Sequence, residues 1–253
     1  MKLTGRTILI TGGTSGIGLE LAKQLIAQWN TVLITGRDEQ RLAETKSKMA
    51  VHTFVCDAAN PADIEKLQRV VAVDFPSLDT LINNAGIMRN LNLNQPHDLT
   101  DVTRELAVNL TGPVQMVQAF LQQLTARPDA LIVNVTSGLA FVPFPLSPVY
   151  SAAKAGLHAY TRCLRAQLKQ SKIRVVELAP PGTETPLFRG EFENQMKGQK
   201  GMDVQVLVKQ AISGIEAGKI EIRPGLSNVL YVLSRIAPRI PFGQMAKMLP
   251  SAA

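Results

Sequence analysis

Short apolar runs alternate with longer amphipathic stretches through most of the chain. The runs predict strands at Thr7–Ile10, Thr31–Ile34, Thr53–Val55, Leu78–Ile82, Ala130–Val135 and Ile173–Leu178. They do not alternate with polar residues, which is typical of strands buried on both faces. Apolar residues at helical spacing between the runs predict helices at Gly16–Gln28, Asp38–Met49, Asp63–Val73, Thr100–Leu124 and Val149–Gln170. This alternation of strand and helix predicts a doubly wound α/β fold, with a parallel sheet of about seven strands and helices on both faces.

After the sixth predicted strand, the alternation of apolar runs and amphipathic stretches becomes less regular. A helix at Val204–Ala217 and a short strand at Ile220–Ile222 are still predicted. Residues 226–253 form an apolar, basic C-terminal extension that is broken at Pro238 and Pro241. No internal repeat, low-complexity tract or interior linker interrupts the chain. Residues 1–253 are therefore predicted to form a single Rossmann-type domain.

The first predicted strand runs into a glycine-rich turn, Thr11–Gly18, in which the first helix begins. Backbone N–H groups and the helix dipole at such a junction face an anion. Gly12 is suited to the tight turn, Gly16 to close approach of a pyrophosphate, and Gly18 to close packing of helix on strand. No Lys-Ser/Thr pair follows, which excludes a P-loop. The turn predicts a dinucleotide site that includes Thr14, Ser15 and Ile17, with a purely structural turn as the alternative.

The end of the second strand bears on which dinucleotide is bound. NAD sites carry an acidic residue there, about 20 residues after the glycines, which holds the ribose hydroxyls. Here Gly36 takes that position and Arg37 follows it. An arginine donates several hydrogen bonds to a 2′-phosphate, and no carboxylate repels that phosphate. Arg37 therefore favours NADP, with NAD as the alternative cofactor and a solvated loop arginine as the alternative interpretation.

Tyr150 and Lys154 lie four residues apart near the start of a predicted helix, so they share a face. Ser137 follows the fifth strand, at the sheet edge where ligands gather in doubly wound folds. A phenol with a pKa near 10 needs a neighbouring cation to act as a base at neutral pH, and Lys154 is placed to be that cation. Ser137 is expected to hold a substrate oxygen while Tyr150 gives or takes its proton. These roles fit hydride transfer between a carbonyl and an alcohol.

From about Leu3 to Pro186 the chain resembles the short-chain dehydrogenase/reductase family. The motifs occur in the family's order, and they are Thr11-Gly12-x-x-x-Gly16-Ile17-Gly18, Asn83-Asn84-Ala85-Gly86, Ser137, and Tyr150-x-x-x-Lys154. The resemblance implies that Asp57, beside Ala58, hydrogen-bonds the adenine amino group, and that Asn84, Ala85 and Gly86 line the adenine-ribose side. It also implies that Asn109 anchors a water linking Lys154 to solvent. The alternative interpretations are purely structural: Asp57 caps a helix, and Asn109 is a core amide whose hydrogen bonds are all made within the protein.

The segment after the sixth strand departs from the family's Pro-Gly-x-x-x-Thr pattern, because Pro181 takes the glycine position. A proline has no backbone donor and a fixed φ. The resemblance still places Pro180, Thr183 and Thr185 beside the nicotinamide and phosphate. The double proline and the apolar basic tail also resemble the oxidoreductases encoded with lipoteichoic-acid D-alanylation, which does not supply a substrate.

The segment between Ser137 and Tyr150 contains prolines and phenylalanines, which predict an apolar wall. Residues 186–203 are expected to form a lid over the substrate. The substrate is expected to be a medium-sized, partly apolar carbonyl or alcohol. The family resemblance implies a homodimer or homotetramer formed through the two longest helices. A non-catalytic cofactor-binding scaffold is the alternative from another functional class.

The amino-acid composition limits the class of protein and its cellular location. The 253 residues are 45% hydrophobic, which excludes a disordered or collagen-like chain. Two cysteines do not make a disulfide framework and fit a cytoplasmic location, and neither a signal peptide nor a membrane span is predicted. Three scattered histidines lack ligand spacing, so no metal site is expected.

The net charge of +7 is concentrated near the end of the chain. Residues 219–253 hold five basic residues and one acidic residue, a net +4, whereas the first 218 hold 22 basic and 19 acidic ones, a net +3. This distribution does not predict a nucleic-acid-binding face. The tail is expected either to pack on a partner subunit or the lid, or to rest at an anionic membrane surface.

Overall fold

Seven parallel strands form the central sheet of the computed structural model, which describes residues 2–193, 195 and 197–249. In chain order they are β1 (Thr7–Thr11), β2 (Thr31–Gly36), β3 (Val51–Val55), β4 (Thr80–Asn83), β5 (Ala130–Val135), β6 (Ile173–Leu178) and β7 (Glu221–Ile222). Their spatial order is β3-β2-β1-β4-β5-β6-β7. The chain winds outward from β1 in one direction and from β4 in the other, which confirms the doubly wound Rossmann-type fold and its seven strands.

Helices connect the strands across both faces of the sheet. The main ones are α1 (Gly16–Ile26), α2 (Glu39–Lys48), α3 (Pro61–Asp74), α6 (Gly112–Thr125), α7 (Pro148–Gln167) and α9 (Val204–Glu216). Shorter ones are α4 (Leu99–Val102), α5 (Arg104–Leu106), α8 (Pro186–Arg189), α10 (Leu226–Ile236) and α11 (Arg239–Ala246). At the start of α3, Asn60 Oδ1 accepts the Ala62 N–H at 3.0 Å, with Pro61 in the first turn.

Buried apolar side chains form one layer on each face of the sheet. Ile8 and Ile10 of β1 pack with α1 and α9 on one face, whereas Leu9, between them, packs with α3 and α6 on the other. Because successive strand residues point to opposite faces and both faces are covered, the strands are mostly apolar and show no alternation of apolar and polar residues.

The long helix predicted at Thr100–Leu124 is not continuous. It is divided into α4, α5, a π-helical turn at Ala107–Thr111, and α6. A π-turn is wider than an α-turn and is frequent at functional sites. Here it packs against the loop after β4, where the Asn109 side chain hydrogen-bonds both backbone groups of Ile87.

The C-terminal extension folds into α10 and α11. The chain breaks between them at Ala237 and Pro238, as predicted, but Pro241 does not break the helix. Pro241 lies in the first turn of α11, where a backbone N–H would have no helical partner. Within the described part of the chain, no helix has both the length and the apolar character needed to span a bilayer.

Candidate active site

A cavity of about 810 Å³ opens at the carboxyl edge of the sheet. Its size lies within the roughly 300–1,000 Å³ typical of small-molecule and cofactor sites. The sequence-predicted site residues that line it are Gly12, Thr14, Ser15, Gly16, Ile17, Arg37, Asp57, Ala58, Asn84, Ala85, Gly86, Ser137, Tyr150, Lys154, Pro180, Thr183 and Thr185. The remaining two, Gly18 and Asn109, lie directly behind the wall.

The turn between β1 and α1 requires its glycines. Gly12 and Gly16 have φ of 67° and 52°, in the left-handed region that favours glycine. A Cβ on Gly18 would lie 2.2 Å from the carbonyl oxygen of Gly12. Asn84 Nδ2 braces the turn by donating to Thr11 O at 3.0 Å and to Gly12 O at 3.1 Å. The turn leaves space for a ligand at the α1 N-terminus, which fits the pyrophosphate of a dinucleotide.

Two arginines and two aspartates lie at the far end of the cavity. Arg37 Nη1 is 3.9 Å from Asp57 Oδ2, and its side chain is half exposed. Arg41, which sequence reasoning missed, lines the same end and places Nε 3.4 Å from Asp38 Oδ2. The signal for Arg41 was its position in the first turn of α2, just after the end of the strand that precedes Arg37. The two guanidinium groups fit the anionic phosphate of an NADP ribose.

Asp57 is engaged within its own loop. Its Oδ1 accepts the Ala59 N–H at 3.0 Å, which closes a tight Asx turn, while Oδ2 also lies 3.8 Å from Arg104 Nη2. Asn60, not Asp57, caps the following helix. Asp57 therefore lines the cavity with one oxygen already occupied, and its second oxygen faces two cations.

Tyr150, Lys154 and Ser137 meet on one wall. Burial raises the pKa of Tyr150 to about 12, although a hydrogen bond with Ser137 opposes the rise. Burial lowers the pKa of Lys154 to about 8, and its Nζ donates to Val135 O at 2.8 Å. Nζ lies 5.6 Å from the centre of the Tyr150 ring. Burial therefore favours the protonated phenol of Tyr150, and a charged Lys154 is the neighbouring cation able to favour its ionised form.

Asn109 is fully buried in the π-turn, and both polar atoms of its side chain form hydrogen bonds with one residue, Ile87. Its Oδ1 accepts the Ile87 N–H at 3.1 Å, and its Nδ2 donates to Ile87 O at 2.8 Å. A Cβ on Gly86 would lie 2.8 Å from Asn109 Oδ1 and 3.8 Å from Lys154 Nζ. Asn109 therefore fixes the loop after β4 against the helix, directly behind Lys154.

A buried acid beneath the site was missed by sequence reasoning. Glu177, 1% exposed, accepts the Thr136 hydroxyl at 2.7 Å and lies 2.8 and 2.9 Å from His158 Nδ1 through its two oxygens. Thr136 precedes Ser137, and His158 is one turn beyond Lys154. The signal was a glutamate near the end of a strand whose other residues, apart from Arg174, are apolar, in a fold whose sheet is covered on both faces.

We expect Glu177→Ala to lower the free energy of unfolding by about 3 kcal/mol, because it leaves His158 Nδ1 without its partner and Thr136 with only a long 3.4 Å contact to Leu178 O. Urea denaturation of the variant beside Glu65→Ala, which removes a carboxylate that is 71% exposed, measures the difference. Equal losses in the two variants would contradict a structural role for the buried network.

The other half of the cavity is apolar. Phe144 and Leu139 from the segment before Tyr150 form part of it, as the predicted apolar wall requires. Met245 and Met248 of the C-terminal extension also line it. The extension therefore completes the wall of the cavity.

Residues 186–188 and 199–202 line the cavity, and hydrogen bonds fasten the segment that they delimit at its base. Met202 N donates to Gly182 O at 2.8 Å, and Glu184 N donates to Met202 O at 2.9 Å. The Glu184 carboxylate accepts from Arg189 Nε at 3.0 Å and Nη2 at 2.6 Å, which lowers the pKa of the carboxyl. Farther along, Phe192 is buried against Phe144.

Within the described ranges, no group of three His, Cys, Asp or Glu side chains is arranged to hold a metal ion.

Comparison with known proteins gives concordant matches. A family model described as "short chain dehydrogenase" matches residues 6–196. The chain is 40% identical over 224 residues to the "Uncharacterized oxidoreductase DltE" of Bacillus subtilis (strain 168), covering 88% of this chain and 89% of that protein. It is 30% identical over 246 residues to 3-dehydrosphinganine reductase TSC10A of Arabidopsis thaliana, covering 92% and 75%. A short chain dehydrogenase from Burkholderia cenocepacia J2315, solved in complex with NADP, superposes with a TM-score of 0.82 at 24% identity, covering 99% and 100%.

Proposed function

This chain is an oxidoreductase of the short-chain dehydrogenase family, and from that premise we propose that it interconverts a carbonyl and an alcohol with NADP(H), in the cytoplasm. The observation that carries the proposal is the convergence of Ser137, Tyr150 and Lys154 on the cavity that the glycine turn begins. A side chain able to transfer a proton thus lies in the same cavity as a dinucleotide cradle. The bound nicotinamide supplies or accepts the hydride.

Tyr150 is the proposed acid and base. With a pKa raised to about 12, its phenol is protonated at neutral pH and is ready to donate to a carbonyl oxygen. Ser137 Oγ accepts the Leu139 N–H at 3.1 Å and its hydroxyl hydrogen-bonds Tyr150, so it is proposed to donate to the same substrate oxygen once the substrate is bound. This protonation state favours the reduction of a carbonyl at neutral pH.

Lys154 is proposed to support charge on Tyr150 and to hold the cofactor ribose. Its ammonium group is oriented by Val135 O and lies beside Gly86, within the cavity. Asn109, behind Gly86, is proposed to anchor a water that links Lys154 to solvent. The side chain of Asn109 already braces Ile87, so its backbone carbonyl is the group left for this water.

We expect kcat for carbonyl reduction to fall above about pH 8, where Lys154 loses its proton. A neutral lysine no longer stabilises the negative charge that develops on the Tyr150 oxygen as its proton leaves. Steady-state NADPH oxidation measured across this range tests the expectation. Lys154→Arg, whose guanidinium stays charged, should lose the fall. A wild-type rate constant that is unchanged through pH 10 would rule out this role for Lys154.

NADP is proposed over NAD because Arg37 and Arg41 both line the far end of the cavity. A 2′-phosphate would satisfy two guanidinium groups that otherwise pair only weakly with Asp57 and Asp38. The NADP complex named for the similar Burkholderia structure agrees with this choice. NAD remains the second candidate.

The substrate is proposed to be a partly apolar carbonyl or alcohol, covered by the segment 186–203 acting as a lid. The apolar half of the cavity, including Leu187, Phe188 and the two methionines of the extension, supports this class. The name of the Arabidopsis relative, a 3-dehydrosphinganine reductase, is in keeping with an aliphatic ketone. Because family members assemble through the corresponding helices, α6 and α7 are proposed to form the contact between the subunits of a homodimer or homotetramer.

A panel of aldehydes and ketones of increasing chain length, followed through NADPH absorbance, tests the proposal. Turnover that improves with chain length supports it. Nucleotide binding without turnover on any carbonyl, unaffected by Tyr150→Phe, would instead indicate a cofactor-binding scaffold.

A further inference from the structure

The C-terminal helices expose an apolar face to solvent. We call the following set the C-terminal face: Leu226, Val229, Val232, Ile236, Ile240 and Phe242. Their side chains are between 45% and 73% exposed. Single exposed apolar residues are ordinary, but a contiguous set at a helix surface marks an interaction site.

Helix α10 has a buried side and an exposed apolar side, and the spacing of its residues distinguishes them. Val229, Val232 and Ile236 recur at three and four residues, so they share one side of the helix. Ser227 and Leu230 lie on another side, are buried, and approach Gly138 beside the catalytic serine. One apolar side thus holds α10 to the domain, and the second points outward.

The charges around the face have one sign. Arg235, Arg239 and Lys247 are exposed, and none forms an ion pair with an acid in the ranges that the structure describes. The one acidic residue of the extension and the preceding strand, Glu221, is already paired with Arg165 and Arg223. A symmetric contact between two copies would place these cations opposite one another without a carboxylate to neutralise them. A surface of anionic lipid provides the missing negative charge.

The cavities open toward the same face. Leu226 is exposed on the face and also lines the main cavity, as does Leu187 of the lid. A second cavity of about 380 Å³ lies between Phe141–Pro143 and the extension, with Phe242 and Arg239 in its wall. An apolar crevice beside a guanidinium group suits a lipid chain with an anionic headgroup.

We propose that the C-terminal face binds the surface of an anionic lipid bilayer and that the apolar half of the cavity opens toward that bilayer. The apolar side chains enter the headgroup region while the three cations contact lipid phosphates. An aliphatic carbonyl held in the membrane then reaches Tyr150 without crossing water. This last step rests on the proposed function, whereas the binding of the bilayer does not.

Vesicle sedimentation of the full-length protein tests the binding. Vesicles of phosphatidylcholine alone are compared with equal mixtures of phosphatidylcholine and phosphatidylglycerol. We expect binding to the mixed vesicles only, weakened about tenfold by the double change Ile236→Ser and Ile240→Ser. The triple change Arg235→Gln, Arg239→Gln and Lys247→Gln should weaken it about a hundredfold.

Val73→Ser is the matched control, because Val73 is 77% exposed on α3, away from the extension. It should bind like the wild type. Every variant should keep its melting temperature and its rate with a short water-soluble carbonyl, since none of the changed residues lines the main cavity.

The proposal is overturned if the wild type does not bind the mixed vesicles, or if the double Ser variant binds as tightly as the control. A wild-type oligomer that the double Ser variant converts to monomers, without vesicle binding, would assign the face to a second copy of the chain. Vesicle binding without carbonyl turnover would retain the docking surface and reject the proposed function instead.

Discussion

Tyr150→Phe is expected to lower kcat for carbonyl reduction by about a thousandfold, with little change in the affinity for NADPH. The substitution removes the only hydroxyl hydrogen that Tyr150 can donate, and general acid catalysis typically contributes 10²–10⁴. The ring stays in place, because Tyr150 is 6% exposed and packed at the start of α7. Nucleotide affinity is measured through NADPH fluorescence, and kcat through steady-state NADPH oxidation at saturating substrate.

Thr161→Val serves as a control for a lost hydroxyl in the same helix. Thr161 is buried but does not line the cavity, and its hydroxyl donates to Leu157 O at 2.6 Å. Its loss should lower stability and leave kcat nearly unchanged. If Tyr150→Phe retained more than a tenth of the wild-type rate, Tyr150 would not be the proton donor.

The second large effect concerns the choice of cofactor. Arg37→Asp is expected to lower kcat/KM for NADPH about a hundredfold and to raise it for NADH. The change removes a cation from the end of the cavity and supplies the carboxylate that holds ribose hydroxyls in NAD sites. Arg41→Ala should lower kcat/KM for NADPH less, because the charge is removed without adding a repulsive one. Steady-state kinetics with both nucleotides measure the two ratios.

Arg69→Ala is a suitable control, since Arg69 lies on the solvent side of α3 with a 68% exposed side chain. It should change neither ratio. A wild-type protein that used NADH as efficiently as NADPH, with Arg37→Asp silent, would make NAD the cofactor and return Arg37 to the role of a solvated loop residue.

The fold was predictable because its strands are covered on both faces. Unbroken apolar runs and the helical spacing between them mark the elements without any knowledge of their contacts. The π-turn was not predictable in this way. It depends on Asn109 binding both backbone groups of Ile87, which lies 22 positions earlier in the sequence, and local propensity does not contain that contact.

The site was predictable where short spacing carries the chemistry and less so where packing does. Tyr150 and Lys154 are one helical turn apart, so their meeting follows from the sequence. His158 lies on α7 and Glu177 on β6, and only the packing of the helix against the strand brings them together.

The pairing of β1 with β4 at the centre of the sheet has a consequence for the lifetime of the protein in the cell. The chain's two windings diverge there, with Ile8 opposite Thr80, and Asn84 ties the end of β4 to the turn after β1. A dinucleotide that contacts both sides joins the two halves and binds only the folded chain. At a hundred times its dissociation constant it would add about 2.7 kcal/mol to the free energy of unfolding. The nucleotide pool of the cell would then govern degradation of the protein as well as its catalytic rate.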